Sequence, residues 1–436
     1  LIFERVREEK LLGKGHAEAV KDGFKYALSS ILDANITTFL TAVVLFVFGA
    51  GPIQGFATTL MIGIATSLIA ALFITRLFIE ADAEKGKTLS FSTSITKNWF
   101  TNLNIDFLAK RKVAYVISGI LILISIGFLT TRGLDEGIDF AGGRTYTVRF
   151  EQPVSATQIS EELSSVFGSA EAKTSGASNQ LKISTKYRVS DKGFEVDEDI
   201  YSKLFNSLQT YLPQGIDEAS FIEGEFNGQD IGIMESMKVG PTIASDLLRG
   251  SFYAVLGSLL IVFLYILIRF KRAQYSIGAV AAVFHDVLIV LGAFAAFHSV
   301  VPFSLEIDQA FIAAILTVIG YSLNDTVVVF DRIREYFGLH PKWETSRNIN
   351  SAINTTISRT INTSLTTLIV LITIFIFGAD SIRGFMFALI IGVVVGTYSS
   401  VFIATPIMYD TVKKEGLKFK IKEEEEPSDA EETAKA

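Results

Sequence analysis

Phe252-Tyr253-Ala254-Val255-Leu256-Gly257-Ser258-Leu259-Leu260-Ile261-Val262-Phe263-Leu264-Tyr265-Ile266-Leu267-Ile268 carries no charge, and Arg269, Lys271 and Arg272 close it. A helix rises about 1.5 Å per residue, so about 20 such residues cross the roughly 30 Å hydrocarbon core of a bilayer. A helix also satisfies its backbone N–H and C=O groups within one segment, which lipid cannot do for it. Seven further runs read in the same way. The eight spans are expected at 28–49, 54–75, 112–130, 252–268, 274–298, 309–330, 357–378 and 382–409. The whole 436-residue chain agrees: it is 49% hydrophobic and only 19% charged, with a mean hydropathy of +0.41. That composition belongs to a polytopic α-helical membrane protein, and it excludes a disordered chain or a coiled coil. With no cysteine there is no disulfide framework, no thiolate metal site and no cysteine nucleophile. The formal charge of −7 gives no global sign of a nucleic-acid partner.

Leu1 is not an initiator Met, and no secretory leader pattern follows it. Leu1–Glu8 reads as the tail of a spanning helix, so the chain is expected to be a fragment of something longer. Positive charge sets the orientation of the spans. Arg5, Arg7, Lys10, Lys14, Lys21 and Lys25 precede the first span, and Arg76, Lys85, Lys87, Lys97, Lys110, Arg111 and Lys112 lie in the next loop on that side. Arg332, Arg334, Lys342 and Arg347 follow later on the same side, then Lys413 and Lys414, whereas the opposite short loops hold only Arg383. Both ends of the chain are therefore expected in the cytoplasm.

Between the third and fourth spans lies a polar stretch, 131–250, too long and too charged for a loop. It is expected to be a separate outward-facing domain, with 19 acidic and 11 basic residues. Its pattern reads strand Gly143–Glu151, helix Ser155–Phe167, strand Ala170–Thr174, strand Gln180–Tyr187, helix Glu195–Leu212, strand Glu218–Glu225. That order is a split β-α-β unit of ferredoxin-like type, and the alternation in Thr145–Phe150 suits a half-buried strand. The expected division is thus 1–80 with two spans, 81–110 as a linker, 111–130 as one span, 131–250 as the domain, 251–410 with five spans, and 411–436 as an acidic solvated tail.

The chain also repeats itself. Leu1-Ile2-Phe3-Glu4-Arg5-Val6-Arg7-Glu8 matches Val328-Val329-Phe330-Asp331-Arg332-Ile333-Arg334-Glu335, and Phe48–Phe56 matches Phe377–Phe385, with an offset that moves only from 327 to 329. Two homologous halves are implied, one present only as its end. Transporters are commonly built this way, with function at the interface between halves.

An ionisable group inside a span costs about 2.5–3.5 kcal/mol on insertion scales, so its default reading is functional. The candidates are Asp33, His285, Asp286, Asp325 and Arg359. Thr355, Arg359, Asn362 and Thr366 follow at helical steps and share one face; their repeat equivalents are Tyr26, Ser30, Asp33 and Thr37. Both stripes are expected to line one interior seam, with Arg359 reaching Asp325 or Asp33 across it. A buried carboxylate beside a movable Arg suits proton loading and release. The same residues also fit a static ion pair that fixes packing, and Asp325 with Asn324 and Thr oxygens would suit Na⁺. His285-Asp286 reads as a polar anchor or as a secondary proton element. No metal or cofactor is expected, because four histidines are too scattered. Gly86-Lys87-Thr88 lacks the first glycine of a phosphate-binding loop, Ala81 standing there. Gly142-Gly143, following Gly137 and Asp139, reads as a sharp structural turn.

Several of these stretches resemble one family. Gly133–Gly143, Val239-Gly240-Pro241-Thr242, His285-Asp286, Gly320–Arg332 and Ser358–Ser364 resemble SecF, while Leu1–Glu8, Ile31–Thr38 and Phe48–Phe56 resemble the end of SecD. The chain is similar to the C-terminal part of a fused SecD–SecF protein, within the resistance-nodulation-division superfamily. The resemblance implies a bacterial inner-membrane accessory of the Sec translocon. Such proteins use the proton-motive force to draw preproteins outward after a cytoplasmic ATPase has pushed them in. It implies Asp325 and Arg359 as proton-path residues, with a third carboxylate falling before Leu1. It also implies partners: the translocon channel with its associated membrane insertase, the preprotein, and the remainder of the SecD half, without which this chain is not expected to act. A proton-coupled small-molecule exporter and a static translocon scaffold are the competing readings. An enzyme is disfavoured because no nucleophile–base pair is present.

Overall fold

The computed structural model describes residues 1–49, 52–87, 103–191, 194–301, 303–379 and 382–414. Thr88 of the phosphate-loop-like triplet, the linker from 88 to 102, the Ala50–Gly51 and Asp380–Ser381 turn residues and the acidic tail beyond 414 lie outside the described residues.

The chain opens with α1 (Ile2–Leu11), α2 (His16–Phe48), α3 (Pro52–Ile69), a π-helical turn at Ala70–Ile74, α4 (Thr75–Glu84) and α5 (Arg111–Thr131). A short helix α6 (Ile138–Ala141) leads into the α/β domain: β1 (Gly143–Arg149), α7 (Ala156–Phe167), β2 (Ala170–Thr174), β3 (Gln180–Thr185), α8 (Phe194–Leu208), α9 (Glu218–Glu223) and β4 (Gly232–Val239). The bundle resumes with α10 (Pro241–Phe270), α11 (Ala273–Phe297), α12 (Gln309–Leu339), α13 (Thr345–Phe377) and α14 (Arg383–Ser399). A second π-helical turn at Ser400–Ala404 then leads into α15 (Thr405–Lys414). Eight of the helical stretches are long and apolar enough to cross a membrane among the described residues. The chain is a polytopic helical membrane protein with one added α/β domain.

The hub of the bundle is α12. In its most apolar stretch 78% of the residues are buried, against 11% for the stretch 53–84. It packs against α2, α13 and α14 and on its flank against α11 and α10. Local chemistry sets its start: Asp308 is the N-cap and its side chain accepts from the Phe311 N–H at 2.8 Å. α10 is longer than the expected 252–268. Pro241 occupies its first turn, where a missing N–H costs nothing, so the helix starts directly after β4.

The repeat is visible in three dimensions. α2 and α13 are both 33 residues long, running His16–Phe48 and Thr345–Phe377. Both copies then turn into a helix interrupted by a π turn. Thr75 donates to the Ala70 carbonyl at 2.9 Å and Thr405 to the Ser400 carbonyl at 3.1 Å, each five residues back. A π turn is rare, so its presence at the same place in both copies marks a shared device.

In the domain the strand order is β2-β3-β1-β4, all antiparallel, which is the ferredoxin-like arrangement. One expected element is wrong. Glu218–Glu225 is not a strand: Asp217 caps a helix there by accepting from Ser220 N–H at 2.9 Å, and Gly224 ends it in the left-handed region. The fourth strand is Gly232–Val239 instead, paired with β1 through a bulge at Thr147/Val148. Its core includes Val148, Ile159, Leu163, Ile183, Ile200 and Leu204, all fully buried.

Candidate functional site

Among the described residues, the ionisable candidates inside the spans fall at three sites. The first lies on the seam where α12 meets α2 and α13. Asp325 of α12 is 1% exposed, and neither carboxylate oxygen is in a hydrogen bond of ordinary geometry among the described residues; the Ser364 hydroxyl of α13 acts on it but bonds the Thr360 carbonyl and Thr397. Arg359 of α13 is half-buried, and its Nη1 is likewise enclosed and unpartnered. Arg359 is the cation that acts on Asp325, and Asp325 with Glu4 are the anions that act on Arg359. No ion pair joins the two among the described residues. A buried carboxylate with no hydrogen bond is costly, so this arrangement stores an unmet demand for a proton or a cation. A cavity of about 420 Å³ lies alongside, lined by Asn35, Thr38, Thr317, Tyr321, Asn324 and Arg359 among others. Leu1, Ile31, Ala34, Leu60 and Ile64 complete the lining, so water would be held on its polar side only.

The second site is Asp33 on α2. Arg269 Nη2 of α10 lies 2.5 Å from its carboxylate, and Tyr265 OH donates at 3.0 Å. The expected reach of Arg359 to Asp33 is therefore not observed. Ser30, the repeat equivalent of Arg359, donates instead to Asp331. The two stripes also differ in burial. Ser30, Asp33 and Thr37 are buried, with Asp33 bonded to α10, whereas Thr355, Asn362 and Thr366 are exposed on α13. Asn362 thus shares a helical face with Arg359 but does not meet Asp325.

The third site is His285-Asp286 on α11, where every carboxylate oxygen is used. His285 Nδ1 lies 2.9 Å from Asp286 Oδ1, and the Ser322 and Ser399 hydroxyls both donate to Oδ2 at 2.7 Å. The chain of hydroxyls continues through Thr326 and Ser400, 2.9 Å apart, into the second π turn. Ser322, Thr326, Ser399 and Ser400 are absent from the sequence-derived candidates. Nothing in their types distinguishes them from the many helical serines and threonines that bond their own backbone.

At one end of the bundle the repeated Arg–Glu motifs cross. Arg5 bonds Glu335, and Arg332 bonds Glu8 with Nη2 to Oε1 at 2.7 Å, while each Arg also bonds the Glu of its own copy, so the equivalent residues form one reciprocal network. At the other end, Gly142 (φ 79°) and Gly143 (φ 156°) make the turn from α6 into β1. A Cβ on Gly143 would come within 2.6 Å of the Thr185 carbonyl, so only glycine fits. Gly137 and Asp139 sit on the same short connection, against residues 306–309. No group of three metal-ligating His, Asp or Glu side chains forms among the described residues.

Comparison with known proteins meets this geometry. The profile of the family described as "Protein export membrane protein SecD/SecF, C-terminal" matches residues 1–83 and 223–414, and the "SecD/SecF GG Motif" matches residues 127–154. The chain is 47% identical over 312 residues to protein translocase subunit SecF of Rhodothermus marinus, covering 71% of this chain and 94% of that one. It is 34% identical over 409 residues to protein translocase subunit SecDF of Brucella abortus, covering 94% of this chain and 50% of that one. The crystal structure of SecDF from Thermus thermophilus, a translocon-associated membrane protein, superposes with a TM-score of 0.76 at 29% identity, covering 96% of this chain and 52% of that one. The chain thus spans most of a SecF relative and about half the length of the SecDF relatives.

Proposed function

The chain belongs to the SecD/SecF family of protein export membrane proteins, and from that premise we propose that it is a multi-pass inner-membrane part of the Sec translocation machinery that spends the proton-motive force on late preprotein movement. In this reading the α/β domain faces outward and both ends face the cytoplasm. Protons pass by way of Asp325 and Arg359. The partners are the translocon channel and its membrane insertase, the moving preprotein, and the remainder of the SecD-like half.

The observation that carries the reading is Asp325: a buried carboxylate with neither oxygen in a hydrogen bond of ordinary geometry among the described residues, acted on by Arg359, which itself lines a cavity with Asn324 and Tyr321. A static scaffold has no need to bury an unsatisfied acid in its hub helix. A Na⁺ site would gather several oxygens around the carboxylate, whereas among the described residues the Ser364 hydroxyl is the one neutral oxygen that acts on Asp325. The polar stripe of α13, exposed at Thr355, Asn362 and Thr366, supports the need for the other half. On α2 the equivalent stripe is covered by α10 through Arg269 and Tyr265. A helix equivalent to α10, supplied by the SecD-like remainder, would cover Thr355, Arg359 and Asn362 in the same way.

The test uses the full-length protein reconstituted with the translocon. With a preprotein arrested part-way and ATP removed, an imposed proton gradient is expected to complete export for wild type and not for Asp325→Asn. Equal completion by both would overturn the proton role and favour the scaffold.

A further inference from the structure

The glycine-containing signature at 135–143 does more than turn the chain. It docks against residues 304–309, the segment that leads into α12. Glu136 and Ile307 pair as a parallel β-bridge, with Gly137 N–H donating to the Ile307 carbonyl at 2.9 Å and Ile307 N–H donating to the Asp135 carbonyl at 2.7 Å. Asp139 Oδ2 accepts from the backbone N–H of Gln309, the first residue of α12, at 3.1 Å. Asp139 and Asp308 together therefore satisfy two of the free N–H groups at the start of that helix, where a carboxylate also meets the positive end of its dipole.

Gly137 permits the approach, since a Cβ there would lie 3.3 Å from Asp308 Cβ, from Glu306 Oε2 and from the Ile307 carbonyl. The domain adds a second hold from its edge strand β2: Lys173 Nζ lies 3.0 Å from Glu171 and 3.8 Å from Glu306. The covalent links to the bundle run through α5 and, by way of β4, through α10. Among the described residues, the bonds to 304–309 are what joins the domain to α12, the helix that carries Asp325.

We propose that segment 135–139 is a closed joint that makes the α/β domain and the start of α12 move as one body, with Asp139 as its positioning residue. A shift of α12 at Asp325 then reaches the domain without loss in a flexible linker. What the joint transmits rests on the proposed function. The joint itself rests on these contacts alone.

The experiment exploits the absence of cysteine from the chain. Three variants of the full-length protein are compared: Asp139→Ala, Asp139→Asn, and the double substitution Glu136→Cys/Ile307→Cys, oxidised to a disulfide. Hydrogen exchange at the amides of Gly137, Ile307 and Gln309 reports the joint, and gradient-driven export reports transmission. Asp139→Ala is expected to raise exchange at Gln309 at least about tenfold, the effect of about 1.4 kcal/mol of lost protection, and to cut gradient-driven export by a similar factor. Asp139→Asn keeps an acceptor oxygen and is expected to stay near wild type in both. The disulfide is expected to leave export intact and to restore it in the Asp139→Ala background.

Loss of export on forming the disulfide would overturn the proposal, because it would mean that the joint must open. Unchanged export in Asp139→Ala despite raised exchange would overturn it too. If instead wild type shows no gradient-driven export at all, the proton reading fails, while the exchange data still decide whether the joint is closed.

Discussion

Asp286 and Asp325 are both carboxylates buried in the same bundle, 0% and 1% exposed, yet they are treated in opposite ways. Asp286 receives two serine hydroxyls and faces His285 Nδ1, so each oxygen is occupied. Asp325, three residues beyond Ser322 on α12, is in no hydrogen bond of ordinary geometry among the described residues, with only the Ser364 hydroxyl and Arg359 acting on it. A fully bonded buried acid holds helices together, and breaking it leaves donors stranded. An unbonded one weakens the fold and persists because something else needs it. The difference separates a fastener from a working group within one membrane interior.

The largest expected effect on export breaks this comparison most openly. Asp286→Ala should destabilise the protein in detergent by about 1–3 kcal/mol, the cost of stranding buried hydroxyl partners, read as a lower midpoint of thermal unfolding. Asp325→Asn should leave the midpoint equal to or above wild type while abolishing gradient-driven export. If the two variants lose stability equally, the distinction between fastener and working group fails.

The Asp33 site sharpens the comparison as a half-way case, an acid held by a cation. Arg269→Met should cost several kcal/mol by leaving Asp33 buried and unpaired, and Asp33→Asn in that background should recover most of it. A double-mutant cycle on unfolding free energy measures the coupling, and additivity would deny that the pair acts as a unit.

A smaller effect concerns the joint. Glu306 is pushed up to about 10 by burial and by the nearby Glu171 carboxylate, against Lys173, with Asp135 also raising it; Asp308 and Asp139 adjoin it. Docking thus favours the protonated carboxyl, whereas the freed group ionises near its ordinary 4.5. Docking is therefore fully favoured below about 4.5 and weakens as pH rises toward 10. Protection of the Ile307 amide, taken relative to its intrinsic exchange rate at each pH, should fall over that window, and Glu306→Gln should flatten that fall. The smallest effect is at the serines: Ser399→Ala should cost about 0.5–1.5 kcal/mol, one hydrogen bond of the Asp286 set.

These sites were unequally legible in the sequence. The eight spans and the repeat are written in apolar run length and in near-identical motifs. Asp325 and Arg359 stand out because charge in an apolar run is rare. The partner of Asp33 was hidden because Arg269 ends its own span and looks like a flanking charge that sets orientation. Asn362 shares a helical face with Arg359 by its spacing, but periodicity does not say whether that face is covered. The hydroxyls that satisfy Asp286 come from α12 and α14, and pairing across helices leaves no local pattern. The fourth strand of the domain was misplaced for a similar reason. Gly232–Val239 is an edge strand, held by β1 far back in the chain and bulged, with little alternation of its own.

The most direct measurement of the central claim is proton uptake by the protein in sealed vesicles during export of an arrested preprotein, with a pH-sensitive dye inside. The account predicts uptake in wild type and in Ser399→Ala, and none in Asp325→Asn even though that protein folds normally. Undiminished uptake in Asp325→Asn would contradict it, and would leave the unbonded acid of α12 without the role assigned to it here.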